Sequence, residues 1–368
     1  MIRLDRRILT HFDFVQPFLI LPIIILSYIL VSEANSILAG KQLVYFGVGL
    51  ALFLFFFLLP IRKIAWLIPL FYWICIVLLV SVDLFGTSKL GAKRWLEFPF
   101  IHFTLQPSEI MKPALLLMLG YLIKQRPPEE NGYSLKDFLR LSLYILLPFV
   151  LILKEPDLGT ALILLIVGYA VLFIIGVNKK IWVVIFAGVL LSAPVIYENL
   201  HDYQKKRITD FLSEESNYHV RQSIIAIGSG GLKGKPKDEA TQTHFKFLPI
   251  STSDFIFAYT IERYGFYGGL ALLSFYGALI AHLLSLNYGL KDDYFTQTMA
   301  SGIGILIFIY VSINIMMTIG FAPVVGIPLP FYSYGGSSFV TFMCLFGILQ
   351  NLLAFRFDPT YRLVKFKI

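Results

Sequence analysis

Residues 254–286 read DFIFAYTIERYGFYGGLALLSFYGALIAHLLSL, and this stretch decides the fold class of the chain. It is almost entirely apolar, and it is longer than the run of about 20 residues that an α-helix needs to cross a bilayer. A segment of this length tilts or extends beyond the lipid. Because Asp254 stands at its first position, the stretch predicts a membrane-spanning helix with an ionisable group at one end.

The whole chain has a composition that matches this segment. Of its 368 residues, 57% are apolar and only 15% are charged, whereas an ordinary soluble domain has about 25% charged residues. A soluble protein of this size cannot bury so much apolar surface, which indicates that the solvent is lipid. The net charge of +8 then indicates contact with anionic lipid headgroups rather than with nucleic acid. Cys75 and Cys344 lie in apolar runs, so they support neither a disulfide framework nor a zinc site.

Apolar runs recur along the chain and predict an all-α, polytopic integral membrane protein with about ten transmembrane helices. We expect a single transmembrane domain over residues 1–368. The first run follows three arginines but precedes no cleavage site, so we expect a retained helix rather than a signal peptide. The ten runs are 14–32, 42–59, 64–82, 108–123, 138–153, 157–176, 181–197, 254–286, 298–319 and 337–355.

The orientation follows from lysine and arginine, which are enriched in cytoplasmic loops. With a cytoplasmic N-terminus, the inner segments hold 16 basic residues and the short outer loops hold 5. This bias predicts that both termini are cytoplasmic. The long segment 198–253 is then an extracytoplasmic loop between helices seven and eight. We expect short amphipathic helices within it, near 203–212 and 220–227.

The polar motifs of the chain all fall on the predicted extracytoplasmic side. Charged residues, glycines and prolines from separate loops that share one membrane face indicate a single site. The segments concerned are 91–96, 106–113, 154–160, 221–234, 247–257 and 320–338.

Glu109 and Lys112 open the fourth apolar run, in the motif Gln106-Pro-Ser-Glu. Pro107 or Ser108 can start a helix there, and Glu109 complements the helix dipole. Those two effects leave Lys112 unexplained, since it is a cation at the positive end of a helix. Residues three apart share a helix face and can pair. An ionisable pair at the membrane edge is a functional candidate by default.

Two further pairs of residues have a structural and a functional interpretation. Glu155 and Asp157 either start a helix or bind a divalent cation, since Mg²⁺ prefers carboxylates together with water and phosphate oxygens. Trp95, beside Arg94, is either an interface anchor or an aromatic platform for a sugar ring.

Asp254 is the candidate general base. It can also cap the helix that follows, as can Ser253. Phe255 and Phe257 flank it at the lipid boundary, and partial desolvation raises the pKa of a carboxylate toward that of a useful base. The glycines of 228–234 resemble a phosphate loop only weakly and are more typical of turns.

These motifs, in this order, resemble those of the SEDS family of polytopic membrane proteins. The resemblance spans nearly the whole chain and rests on these segments: GAKRW at 91–95, QPSE at 106–109 with Lys112, EPDLGT at 155–160, GSGG at 228–231, TSDFIFA at 252–258, GIPLPF at 326–331 and SYGGSS at 333–338. The N-terminal part is more similar to the branch that serves cell elongation than to the division branch.

The resemblance implies a peptidoglycan glycosyltransferase that polymerises lipid II for cell elongation and cell shape. It implies a bacterial inner-membrane protein with its site on the extracytoplasmic face, a divalent cation (Mg²⁺ or Mn²⁺) and a class B penicillin-binding protein as partner. It places the essential aspartate at Asp254. Contributions are implied from Trp95, Glu109, Lys112, Glu155 and Asp157, of which we assign the last two to the metal.

The reaction sets three tasks for these residues. Asp254 takes the proton of the acceptor hydroxyl of lipid II. Lys112, Arg94, Arg221 or the metal stabilises the departing undecaprenyl pyrophosphate. A groove open to the lipid aligns the two lipid-linked substrates.

A lipid II flippase is the alternative function. A flippase needs a polar path through the whole bilayer, whereas a polymerase needs polar residues at one face only. The middle parts of the apolar runs are nearly uncharged, apart from Glu262 and Arg263. The sequence therefore favours the enzyme.

Overall fold

The computed structural model describes residues 10–356, apart from 90–91, 99–102, 156, 199–204, 206–208, 210–217, 245–246, 249 and 291–292. Within these residues the chain is mainly helical. The long helices are α1 (Val15–Ala34), α2 (Ser36–Leu58), α3 (Ile68–Phe85), α4 (Pro107–Gln125), α5 (Leu135–Lys154), α6 (Leu158–Ile175), α7 (Lys179–Glu198), α10 (Ile256–Gly289), α11 (Tyr294–Thr318) and α12 (Gly336–Ala354). Shorter elements are β1 (Thr87–Lys89), β2 (Ala92–Phe98), β3 (Phe103–Leu105), α8 (Tyr218–Gly230) and α9 (Thr241–His244).

Each predicted apolar run corresponds to one of the long helices. Seven helices in the described residues are long and apolar enough to cross a membrane, which identifies a multi-pass membrane protein. The helices α4, α5 and α7 have comparable lengths of 19, 20 and 20 residues. The total of ten spans and the cytoplasmic position of both termini stay predictions.

Helix α11 lies at the centre of the bundle and packs against α4, α6, α8, α10 and α12. Its side chains are largely buried, as are those of α12. Helix α2 is the opposite case, because it packs mainly on α12 and leaves most of its apolar side chains exposed. Such an exposed apolar surface is suited to lipid rather than to water.

The chain between α3 and α4 forms a small antiparallel sheet with strand order β1-β2-β3. Strand β2 carries Arg94 and Trp95 and packs against α3 and α4. The all-α prediction holds for the spanning part but missed these strands. They are short, and they carry no sustained apolar alternation that would have distinguished them from a loop.

The long loop contains helix α8, which covers the predicted amphipathic segment 220–227. The hydroxyl of Ser223 is buried and donates to the carbonyl of Thr318 at 2.7 Å, which fixes α8 on the end of α11. The other predicted helix, 203–212, lies outside the described residues except for positions 205 and 209.

Helix α10 is not continuous, contrary to the prediction for 254–286. It starts at Ile256 and is interrupted at Gly265, where φ is 66° and ψ is −166°. The glycine-rich segment enters this break: the backbone N–H of Phe266 donates to Gly231 at 2.9 Å. A Cβ on Gly234 would collide with the Arg263 carbonyl. These glycines therefore permit close backbone contact, and a phosphate loop is not needed to explain them.

Candidate functional site

Helix α4 supplies a buried ion pair. Lys112 is only 2% exposed, and its ammonium pairs with the Oε1 atom of Glu109 on the same helix face. The ammonium also donates to the hydroxyl of Tyr310 on α11. The pairing expected from the spacing of three residues is therefore present, and Tyr310 adds a partner from a second helix.

The start of α6 supplies a second buried charge. Asp157 accepts the Thr160 N–H at 3.2 Å, so it caps the helix, and its Oδ1 atom lies 3.6 Å from Nη1 of Arg94. The structural and functional interpretations of Asp157 are thus compatible. Glu155, two residues earlier in the sequence, is also buried.

Asp254 lies just before α10 and is held through its backbone. The side-chain amide of Asn314 donates to the Asp254 carbonyl at 2.9 Å and to the Ile327 carbonyl at 2.7 Å. The hydroxyl of Ser333 donates to the carbonyl of Ser253 at 2.6 Å. These bonds join the aspartate segment to the Gly-Pro-rich loop that precedes α12.

The carboxylate of Asp254 does not cap α10. The N-cap of that helix is Phe255, and no side chain accepts a hydrogen bond there. Instead, the Oδ2 atom faces Gly326, and a Cβ placed on that glycine would lie 3.5 Å from it. The capping interpretation of Asp254 is therefore wrong, and its carboxylate is available for another role.

Burial raises the pKa of the Asp254 carboxyl, and a hydrogen bond from Ser253 opposes this shift. The direction agrees with the desolvation predicted from the flanking phenylalanines. A base is most effective when its pKa approaches the working pH. The environment of Asp254 therefore favours proton transfer.

An apolar groove of about 950 Å³ lies between α2, α3, α4 and α12. Trp95, Gln106 and Glu109 line the groove where α4 begins, and Tyr45, Ser337 and Thr341 are further polar residues of its lining. From Glu109 the lining continues along α4 as far as Leu117, which is about 12 Å along a helix axis. The Oε2 atom of Glu109 is buried at the edge of this groove and accepts no hydrogen bond from the described residues.

The structure brings most of the predicted site residues to one end of the bundle. They are Arg94, Trp95, Glu109, Lys112, Glu155, Asp157 and Asp254. Gly159 contributes to this convergence, because a Cβ there would collide with Val325 of the loop before α12. Arg221 lies on α8, which is bound to the same end of α11, but its side chain is exposed and no ion pair of it is observed within the described part of the chain.

A metal centre built from protein ligands alone is not present in the described residues, which contain no cluster of three or more His, Cys, Asp or Glu side chains suited to an ion. Two carboxylates, Glu155 and Asp157, are the donors that the sequence analysis selected. Mg²⁺ is commonly bound by one or two carboxylates together with substrate phosphates. A metal at Glu155 and Asp157 therefore stays a prediction, in which substrate oxygens would supply the remaining ligands.

Sequence reasoning missed Tyr310, Asn314 and Ser333. Tyr310 and Asn314 are buried polar residues in an otherwise apolar helix. Their spacing of four puts them on one helix face. That spacing was the available signal, because polar residues that share a face within an apolar run indicate a common polar neighbour.

These features define a multi-pass membrane protein with one polar site at the end of its helix bundle. The comparisons with known proteins agree with that class. The chain belongs to the FtsW/RodA/SpoVE family, also called SEDS, because the family model described as "Cell cycle protein" matches residues 3–357.

Two relatives cover almost the whole chain. "Peptidoglycan glycosyltransferase MrdB" of Helicobacter pylori (strain ATCC 700392 / 26695) is 56% identical over 96% of this chain and 93% of its own length. The protein of the same name from Escherichia coli (strain K12) is 37% identical over 93% of each chain.

Solved structures show the same fold. A chain described under "Structural coordination of polymerization and crosslinking by a peptidoglycan synthase complex" matches with a TM-score of 0.81 and 27% identity, over 94% of this chain and 99% of that one. The "Rod shape determining protein RodA" of Thermus thermophilus matches with a TM-score of 0.70 and 26% identity, over 94% and 98%.

Proposed function

We propose that the site around Asp254 polymerises lipid II into glycan strands on the extracytoplasmic face of the bacterial inner membrane. The enzyme class is that of the relatives: the chain is a peptidoglycan glycosyltransferase. One observation carries the proposal. The Asp254 segment and the Glu109–Lys112 pair are bound to the same face of α11, beside an apolar groove.

Asp254 acts as the base in this proposal. Its carboxylate takes the proton of the acceptor sugar's 4-hydroxyl as the oxygen attacks the anomeric carbon of the donor. The bond from that carbon to the pyrophosphate oxygen breaks, and undecaprenyl pyrophosphate leaves with the electron pair. Burial favours the protonated form of the carboxyl, which assists the acceptance of a proton.

Negative charge develops on the pyrophosphate as it leaves, and nearby cations stabilise that charge. The stabilisation is strongest in a site that excludes water. We assign this role to Lys112 and Arg94. Both are already oriented by carboxylates, Glu109 and Asp157 respectively. Arg221 is assigned to outer parts of the substrate, because it is exposed on α8.

The groove is assigned to the polyprenyl tail of a lipid-linked substrate. Its lining is mainly apolar along α2, α4 and α12, and Trp95, Gln106 and Glu109 lie where α4 begins. A tail held there leaves the sugar near Trp95 and the Oε2 atom of Glu109. Holding the substrate in this way turns an encounter between two molecules into a local reaction.

A divalent cation is assigned to Glu155 and Asp157, with pyrophosphate oxygens as its remaining ligands. Both side chains are buried at the start of α6. The ion, when bound, adds positive charge at the leaving group.

The flippase alternative is not favoured by the arrangement of charges. Glu262 is fully buried and accepts hydrogen bonds from the backbone of Gln242 and Thr243 and from the Thr243 hydroxyl. Arg263 forms a bidentate pair with Glu33. The two charged residues that could have formed a polar path are thus committed to loop and helix contacts.

A class B penicillin-binding protein is the proposed partner. A structural neighbour of this chain is described as part of a complex that coordinates polymerization and crosslinking. A glycan polymerase and a crosslinking enzyme act on the same strand, so a complex of the two keeps the product near the second enzyme.

The test is polymerisation of fluorescent lipid II by the purified protein in detergent, with and without the partner. We expect glycan ladders on a gel from the native chain and none from Asp254→Asn. Asp238→Asn is the matched control, because Asp238 is an exposed carboxylate of the same loop. Full activity of a well-folded Asp254→Asn variant would refute the role of Asp254.

A flippase has no task in detergent, where no membrane separates two compartments. Absence of ladders with the partner present, together with translocation of lipid II in sealed vesicles, would favour the transporter.

A further inference from the structure

We infer that Asn314 is a positioning residue for Asp254, through the two hydrogen bonds that its amide donates to the Asp254 and Ile327 carbonyls. The inference rests on the proposed role of Asp254 as the base. It concerns a residue that itself touches neither substrate nor reacting atoms.

The geometry is that of a clamp between two irregular segments. Asn314 is fully buried on α11, and its Nδ2 atom lies 2.9 Å from the Asp254 carbonyl oxygen and 2.7 Å from that of Ile327. Neither carbonyl lies within a helix. A single amide group therefore sets the distance between the segment that holds the base and the neighbouring loop that contains Ile327.

The loop that Asn314 fixes is the one that the carboxylate faces. Gly326, next to Ile327, approaches the Oδ2 atom of Asp254 closely and has a φ of 76°, in the left-handed region. A shift of the loop relative to Asp254 would therefore change the surroundings of the carboxylate directly.

Helix α11 also fixes the cationic half of the site. Tyr310 accepts a hydrogen bond from Lys112 and stands four residues before Asn314, which is about 6 Å along the helix axis. The same helix face thus holds the base and the Glu109–Lys112 pair at a set distance. Rigid elements hold catalytic groups more accurately than loops do.

If Asn314 only stabilised the fold, its substitution would lower stability without lowering kcat. A second buried asparagine of the chain provides the control that distinguishes this role from positioning of Asp254. Asn351 on α12 is also fully buried, and its Nδ2 atom donates to two backbone carbonyls, those of Phe57 and Leu59, each at 2.7 Å. Its partners lie at the C-terminal end of α2 and just after it, at the opposite end of the bundle from Asp254.

The experiment compares Asn314→Leu with Asn351→Leu in full-length protein, with the partner present. Leucine has nearly the shape of asparagine but donates no hydrogen bond, so both variants lose the same two bonds. The measurements are kcat and KM for fluorescent lipid II, the fraction of protein that binds lipid II, and the melting temperature.

We expect Asn314→Leu to lower kcat by about 100-fold, the effect of misplacing reacting groups by about 1 Å. The KM should change less than about threefold, since the loss is confined to the transition state. Asn351→Leu should lower the melting temperature comparably while it keeps kcat per binding-competent molecule. Asn314→Gln, which retains the amide, should recover part of kcat.

Equal kcat per binding-competent molecule in the two leucine variants would overturn the inference. If Asn314→Leu does not fold, Asn314→Gln and Asn314→Ser provide the same comparison with less disruption, and an unchanged kcat in both would overturn it as well. Asp254→Asn in the same assay separates the two proposals. Retained activity there refutes the base, whereas its loss alongside a normal Asn314→Leu refutes only the positioning role.

Discussion

The Glu109–Lys112–Tyr310 cluster allows a quantitative prediction about charge burial. Lys112→Met keeps the length of the side chain but removes its charge. Glu109 then remains as a carboxylate that is only 14% exposed and has lost its ion-pair partner. Glu109→Gln has the reciprocal effect on the lysine, which loses its counter-charge and retains only neutral acceptors, the glutamine amide oxygen and the hydroxyl of Tyr310.

Breaking a buried ion pair by removing one partner costs about 3–5 kcal/mol, because an uncompensated charge stays buried. We expect about 3 kcal/mol for Lys112→Met, since Glu109 borders the groove and can regain some solvent. A domain of about 150–250 residues loses about 2–4 °C in melting temperature per kcal/mol. The expected loss for each single variant is therefore about 6–12 °C, and somewhat less in this longer chain.

The double variant Glu109→Gln/Lys112→Met removes both charges together. Its loss should be smaller than the sum of the two single losses, by a coupling energy of about 0.5–3 kcal/mol. The assay is thermal unfolding in detergent, with Lys180→Met as the control, because Lys180 is exposed at the start of α7. Strictly additive losses would show that the two side chains do not interact.

Three further outcomes are expected. Val48→Trp, which fills the groove, should lower turnover of lipid II at least tenfold and raise KM. Leu50 is on the same helix but outside the groove, so Leu50→Trp should leave both unchanged. Equal turnover in the two variants would exclude the groove as the binding site of the lipid tail. Because burial raises the pKa of Asp254 above 3.8, the base form is lost as pH falls through that higher value, so the acidic limb of kcat/KM should lie above pH 3.8; activity that persists unchanged down to pH 3.8 would contradict this assignment. A chelator should stop turnover, and added Mg²⁺ or Mn²⁺ should restore it. Glu155→Gln and Asp157→Asn should each weaken Mn²⁺ binding, measured with lipid II present. Full turnover in EDTA would assign the charge-stabilising role to Lys112 and Arg94 alone.

The spanning helices and the Glu109–Lys112 pair were predictable because both depend on local periodicity. An apolar run of sufficient length has few alternatives to a membrane helix. A spacing of three residues places two side chains on one face whatever the rest of the fold does. The charge bias also predicts that the six polar segments lie on one side of the membrane, and this was enough to expect that they contribute to a single site.

Contacts between distant segments were not predictable in this way. The Asn314 bonds join residues 60 positions apart in one case and 13 in the other, and a single sequence contains no record of such pairing. The break in α10 at Gly265 was missed for a related reason. A glycine in an apolar run is usually tolerated within a helix, and here the backbone of Phe266 bonds to Gly231, which lies 35 residues upstream.

The buried Glu109–Lys112 ion pair is better explained by function than by stability. A buried ion pair is often no more stabilising than an apolar pair of the same volume, and in a lipid-facing bundle the apolar alternative would be available at every position of α4. The chain nevertheless keeps Lys112 2% exposed, with a carboxylate on one side and a tyrosine on the other. It also leaves one oxygen of that carboxylate at the groove without a donor among the described residues. Stability alone gives no reason for this arrangement, whereas the proposed glycosyl transfer requires an oriented cation near the leaving pyrophosphate, with an unpaired hydrogen-bond acceptor beside it.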